Sequence, residues 1–300
     1  MANSKTAVSL AIDPANYLGE SPLWHSGEQA LYWINCENPP QVHRWNPKTE
    51  AHAIWPMPQR VGGIAFQPSG QLLIALSDGL YDYDIASGGL DLRVRSPLPS
   101  HVSLHECQCD RQGRLWIGSY DHHFSPENRH AGDGFIFRLE GDTLVPEIGD
   151  ISVANGMAFS PEGDVMYVAD SRTRSVEAFD LDPITGKLSN RRAFLQLQEG
   201  EGFVDGATID ARGGYWLAAV GAGALRHYLP DGRLDRVIQL PVSNPTKPAF
   251  GGAELDTLYV TTTRLNIGVG SEANGGIYAL QPGEHGIAEP ELVQGVNPDP

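Results

Sequence analysis

The chain has 300 residues, 41% hydrophobic and 19% charged, and its 37 acidic against 21 basic residues give a formal net charge of −16. That balance excludes nucleic acid and anionic membrane surfaces as partners, because both need clustered Lys and Arg. No run approaches the ~20 apolar residues of a membrane span. The N-terminal MANSKTAVSLAIDP lacks the basic and apolar regions of a signal peptide, so a cytoplasmic protein is expected.

In chain order, the first strand-like run is AVSLAID, followed by an element that recurs six times. An apolar segment enters a turn and leaves it as a second strand, in Trp24–Trp33, Phe66–Ile74, Cys109–Ile117, Phe159–Val168, Ile209–Leu217 and Phe250–Val260. The turn residues Gly27, Gly70, Gly113, Gly163 and Gly213 lie 43, 43, 50 and 50 residues apart, and Leu255 takes the equivalent place 42 residues later. The second strands LYWINC, LLIALS, LWIGSY, MYVADS, YWLAAV and LYVTTT are rich in aromatic and β-branched residues, as half-buried strands are. Third strands follow in QVHRWNP, GLYDYDI, GFIFRLEG, SVEAFDLD, ALRHYLPD and GGIYALQP, with fourth strands such as HAIWPM and RVIQLP.

A strand repeat of this period predicts an all-β, six-bladed β-propeller, with residues 1–300 as a single domain. AVSLAID is expected to complete the last blade, which removes an exposed sheet edge. The insertions Asp121–Asp133 and Leu265–Asn274 both follow a second strand and map to one rim, as lids over the channel or as surface loops. Cys36, Cys107 and Cys109 are an odd number of cysteines. Cys107 and Cys109 share one strand face and could form half a zinc site, but no second pair at a suitable spacing follows, which favours buried thiols.

Eight residues before each turn residue, or seven in blade one, the inner strands begin at Glu20, Gly62, His105, Asn155, Asp205 and Lys247. These equivalent positions are expected to face the channel near one mouth. Glu20, His105, Asn155 and Asp205 offer oxygen and nitrogen donors suited to a divalent cation. Two carboxylates at that register repel unless a cation, a proton or the ammonium of Lys247 intervenes. Taken singly, Asn155-Gly156 and Asp205-Gly206 also read as ordinary turn formers.

At these residues the chain resembles the SMP-30/gluconolactonase/luciferin-regenerating family. The resemblance rests on LGESPLW around Glu20, ANG at Asn155 followed by FSPEG, VDG at Asp205, and PTKPAFGGAELDTLYVTTTR, in order from Leu18 to about Leu280. It implies a metal site in the central channel of a six-bladed propeller, with one divalent cation held by Glu20, Asn155 and Asp205. It also implies hydrolysis of lactones, most often those of sugar acids. Where the family has Arg-x-Asn-Asp at the start of blade three, this chain has Ser103-Leu104-His105-Glu106 before Asp110-Arg111-Gln112-Gly113-Arg114. The resemblance therefore puts Ser103 and His105 at substrate-holding positions, and His123 near an acidic lid residue of some members.

The chemistry expected is attack of water on a small-molecule lactone, with Asp205 as metal ligand and general base. Lys247 is a candidate to meet the oxyanion or a substrate carboxylate, against an ordinary solvated or salt-bridged lysine. The cation, one of Ca, Zn, Mn, Mg or Fe, depends on whether His105 ligates it or instead donates a hydrogen bond to substrate. His122 and His123 point to opposite faces in an extended strand, which makes them weak metal candidates and favours loop polar residues. No Gly-x-Ser-x-Gly elbow, phosphate loop or His-Glu-x-x-His helix competes. A non-catalytic propeller that binds a cation or a partner, or a hydrolase of another ester, are the alternatives.

Overall fold

The computed structural model of the chain describes residues 6–125, 132–265 and 275–293. Among them every regular element is a strand, and the strands form six four-stranded antiparallel sheets. These are the six blades of the expected propeller, each a meander in which consecutive strands pair. No helix among the described residues is long and apolar enough to cross a membrane.

Within each blade the inner strand is buried throughout or nearly so. Gly19–His25, Val61–Phe66, Val102–Cys109, Ala154–Phe159, Phe203–Ile209 and Pro245–Gly251 are these strands. The outer strands alternate with solvent, as His52–Pro56 does. The initial run Val8–Ile12 pairs with Ile277–Leu280, so the sixth blade is assembled from both parts of the chain, as its sequence pattern requires.

The chain divides into two compact units. The first, Met1–Pro56 with Leu197–Ala288, holds blades one, five and six. In it Trp24, Leu31, Trp33, Trp45, Tyr259 and Ile277 form one apolar cluster, and Trp216, Leu225, Phe250, Leu258 and Val260 belong to another. The second unit, Met57–Gln196 with Glu289–Pro300, holds blades two, three and four. Its core includes Leu73, Leu104, Ile117 and Phe137, with Leu292 inserted beside them. The Leu292 amide donates to Phe66 O at 2.8 Å, which fastens the chain after blade six to blade two.

Two blades share a polar anchor that explains the Asp at the start of their turns. In blade three the buried Asp110 accepts the Gln112 and Arg114 amides and, at 3.1 Å, the Trp116 indole N–H. In blade five Asp210 repeats the arrangement with Arg212, Gly214 and, at 3.0 Å, Trp216. A buried carboxylate is tolerable here because the turn supplies its donors. The turn glycines Gly70, Gly113, Gly163 and Gly213 have φ of 83°, 80°, 73° and 81°, the left-handed conformation that suits glycine. Blade one departs from the expected repeat: the left-handed residue is Gln29, not Gly27, and in blade six it is Leu255. Cys36, Cys107 and Cys109 are buried, and burial pushes the Cys109 thiol well up.

Candidate functional site

The six inner-strand positions singled out in the sequence share a backbone irregularity. In every blade the pairing of the inner and second strands slips by a β-bulge: Glu20/Leu23, Val61/Gly63, His105/Cys107, Asn155/Ala158, Val204/Ala207 and Pro245/Pro248. A bulge inserts an extra residue and re-aims the side chain beside it. After Asn155 the extra residue is Gly156 at φ 63°, but after Glu20 and His105 it is Ser21 at 47° and Glu106 at 44°. Non-glycine residues held at positive φ store strain. Alternation alone would have given these positions an ordinary strand direction.

In the first unit, Glu20, Asp205 and Lys247 are all buried, at 3%, 8% and 4% exposure. Their inner strands pack in the order blade one, blade six, blade five. The Glu20 carboxylate accepts the Ser21 amide at 2.9 Å. The residue before it is held by blade six, since Thr246 Oγ1 donates to Gly19 O at 2.5 Å. Thr261 Oγ1 lies 2.8 Å from Thr246 Oγ1, accepts the Lys247 amide at 3.2 Å and donates to Lys247 O at 3.1 Å. This threonine pair fixes the Glu20 entry against the Lys247 entry. Beside Asp205, a Cβ at Gly206 would stand 2.5 Å from Lys247 Cβ and Cγ and 2.8 Å from Cδ. The glycine of VDG is thus the floor over which the Lys247 stem runs. Lys247 is no solvated surface lysine.

In the second unit, Asn155 donates from Nδ2 to Ser171 Oγ at 2.8 Å. That bond orients the amide, and Oδ1 is left buried without a hydrogen-bond partner. A buried carbonyl oxygen of this kind costs free energy unless a hydrogen-bond donor or a cation meets its lone pairs, and a hard cation does so well. The donor types of Glu20, Asp205 and Asn155, two carboxylates and an amide oxygen, are of the kind that suits a divalent cation. Glu106, next to His105, accepts the Met157 amide at 3.3 Å and so joins the blade three and blade four entries.

Ser103 and His105, which the resemblance expects at substrate-holding positions, belong to a connected group. Ser103 Oγ lies 2.7 Å from His122 Nε2, which ties His122 to the buried strand Val102–Cys109. The Tyr120 ring meets His122 and His105 edge-on, with centroids 4.9 and 5.8 Å away. The Arg60 guanidinium lies 5.0 Å from the Tyr120 ring centre, within cation–π range. Arg60 stands two residues before Gly62, the register that Ser103 occupies before His105. His123 lies apart from this group, stacked on His101 with ring centroids 4.3 Å apart. The insertions 121–133 and 265–274 fall in part outside the described residues, at 126–131 and 266–274.

The sequence pattern of the family described as SMP-30/Gluconolactonase/LRE-like region matches residues 18–264. The chain belongs to this family. It is 32% identical over 281 residues to 6-deoxy-6-sulfogluconolactonase of Pseudomonas putida, covering 91% of this chain and 94% of the relative. It is 30% identical to L-arabinolactonase of Azospirillum brasilense, over 93% of each chain. Among solved structures it matches regucalcin, a calcium-binding protein from Agrobacterium tumefaciens, with a TM-score of 0.89 and 25% identity, over 96% of this chain and 98% of that one. The family relatives thus include named sugar lactonases.

Proposed function

We propose that this protein is a divalent-metal-dependent lactonase acting on a sugar lactone. Glu20, Asn155 and Asp205 are the proposed ligands, the assignment that the family resemblance carries. The observation that supports it most is the Asn155 carboxamide, whose Oδ1 is buried and unpartnered while Nδ2 is committed to Ser171. When bound, the cation supplies carbonyl polarisation and a lowered pKa for water.

The chain's own residues supply the rest. Asp205 takes the proton from the attacking water as the water oxygen bonds to the lactone carbon. As the ring C–O bond breaks, the departing ring oxygen takes that proton back from Asp205, giving the open-chain hydroxy acid. The Lys247 ammonium offsets the negative charge that gathers on the carbonyl oxygen. Its direction is set by Gly206 and Thr261. Ser103 with His122, His105 and Arg60 are proposed to hold substrate hydroxyls or an acidic substituent, in place of the family's Arg and Asn. The name of the Pseudomonas putida relative, a lactonase of a sulfonated sugar, supports including acidic lactones among the substrates.

The test is a panel of neutral and acidic sugar lactones, assayed with added Ca²⁺, Zn²⁺, Mn²⁺ and Mg²⁺. Hydrolysis of at least one sugar lactone, stimulated by one of these ions, is expected. Tight Ca²⁺ binding without turnover of any lactone would favour a cation-binding propeller instead.

A further inference from the structure

A second group of metal-ligating side chains shares no residue with the ligand set above. His101 immediately precedes the inner strand Val102–Cys109, and Asp121 ends the strand Leu115–Asp121 that pairs with it. His123 follows two residues later, and Asp133 precedes the strand Gly134–Glu140. Ligand atoms of His101, Asp121 and His123 all lie within 4.8 Å of one another. Asp133 joins them, with Oδ2 at 3.0 Å from His101 Nε2.

We infer that His101, Asp121 and His123, with Asp133, form a transition-metal site on the rim of blade three. The argument begins with Asp121. Its side chain is nearly buried and held in place by the His123 amide, at 2.8 Å to Oδ1, and the Asp133 amide, at 3.3 Å to Oδ2. A carboxylate so fixed keeps lone pairs for a further partner. The two imidazoles lie face to face, 14° from parallel, with ring centroids 4.3 Å apart. A metal ion takes both as neutral ligands and balances both carboxylates.

The distances are within reach. Tetrahedral coordination at zinc–nitrogen distances puts neighbouring donors about 3.4 Å apart. His123 Nδ1 is 3.9 Å from Asp121 Oδ1, and the His123 side chain is 71% exposed, so turning its ring closes the remaining gap. Two imidazoles with carboxylates suit Zn²⁺, Co²⁺, Ni²⁺, Cu²⁺ or Mn²⁺, and not the all-oxygen preference of Ca²⁺. The site also gives His123 a role other than touching substrate.

The test uses the full, tag-free chain dialysed against Zn²⁺, with bound zinc counted by atomic emission and Cu²⁺ binding followed by electron paramagnetic resonance. His123→Ala alters an exposed side chain and leaves the fold intact; His101→Ala is the second variant, and His285→Ala is the control. Wild type and His285→Ala are expected to hold one more zinc per chain than either rim variant, or to bind that ion at least about tenfold more tightly. Nitrogen couplings from the rim Cu²⁺ should be lost in the rim variants. Equal zinc content and affinity in wild type and both rim variants would overturn the assignment. Because the count does not depend on lactone turnover, it stands or falls apart from the hydrolase reading.

Discussion

Gly206→Ala tests whether the glycine of VDG sets the position of Lys247. The added Cβ would stand 2.5 Å from Lys247 Cβ and Cγ, against a carbon–carbon optimum of about 3.5–4.0 Å. Roughly 1 Å of movement is needed, and Thr261 restrains the Lys247 backbone through two hydrogen bonds. Overpacking of this kind costs about 1–3 kcal/mol, read as a lowered denaturation midpoint with an unaltered slope. A displacement near 1 Å of a group beside the reacting atoms is expected to lower kcat/KM by about 100-fold. If the clash is with the Lys247 side chain, Lys247→Gly in the same protein restores part of the lost stability, and the two changes are non-additive by about 1 kcal/mol or more. Activity does not return, since the ammonium is gone. Full stability and full turnover in Gly206→Ala would refute the packing argument and with it the assigned place of Lys247.

Burial, with a smaller contribution from His52, holds the His43 pKa down at about 3. The unfolded chain takes up that proton below about pH 6.5, so stability is complete above 6.5 and falls by up to ~1.4 kcal/mol per pH unit below it. His43→Phe, which keeps a ring against Trp33, should flatten that slope between about pH 6 and pH 4 in urea titrations; an unchanged slope contradicts the assignment. His227 has the opposite sign: burial opposes its charge, but hydrogen bonds to Asp210 and Asp235 outweigh this and raise its pKa. Its contribution is present below about pH 6.5 and lost as pH rises through the raised value. His227→Gln should therefore cost more stability at about pH 5.5 than at about pH 8.5, and an equal cost at both would count against the pairing. Asn155→Ala is expected to weaken cation binding at least about tenfold, measured by calorimetry, while leaving the circular dichroism that of a β protein.

The strands were legible because a propeller writes its turns into the sequence at a fixed period. LWIGSY and YWLAAV follow DRQGR and DARGG, and in both the Asp proves to be the acceptor of the next strand's Trp indole. Blade one escaped the pattern because Gln29, not Gly27, takes the left-handed conformation. The six entry positions fall inside the inner strands, which begin slightly earlier than the spacing suggests, and the bulge beside them has no counterpart in the spacing. Gly156 hinted at it, whereas Ser21 and Glu106 adopt positive φ with no glycine to announce it. Contacts between chain-distant side chains were the least legible. Ser103 with His122, and His101 with His123, are each brought together by the pairing of Val102–Cys109 with Leu115–Asp121, which composition and spacing do not reveal. Arg60 carried its own signal, since it repeats in blade two the register that Ser103 holds in blade three.

The central claim, a lactonase that needs both a divalent cation and Asp205, is tested most directly by one assay. Lactone hydrolysis is followed in chelator-treated protein, before and after adding back a single divalent cation, for wild type and Asp205→Asn. Wild type should lose turnover on chelation and regain it with the ion, while Asp205→Asn stays at least about 100-fold slower with the ion present. Undiminished hydrolysis in the chelated protein, or in Asp205→Asn, would contradict the account.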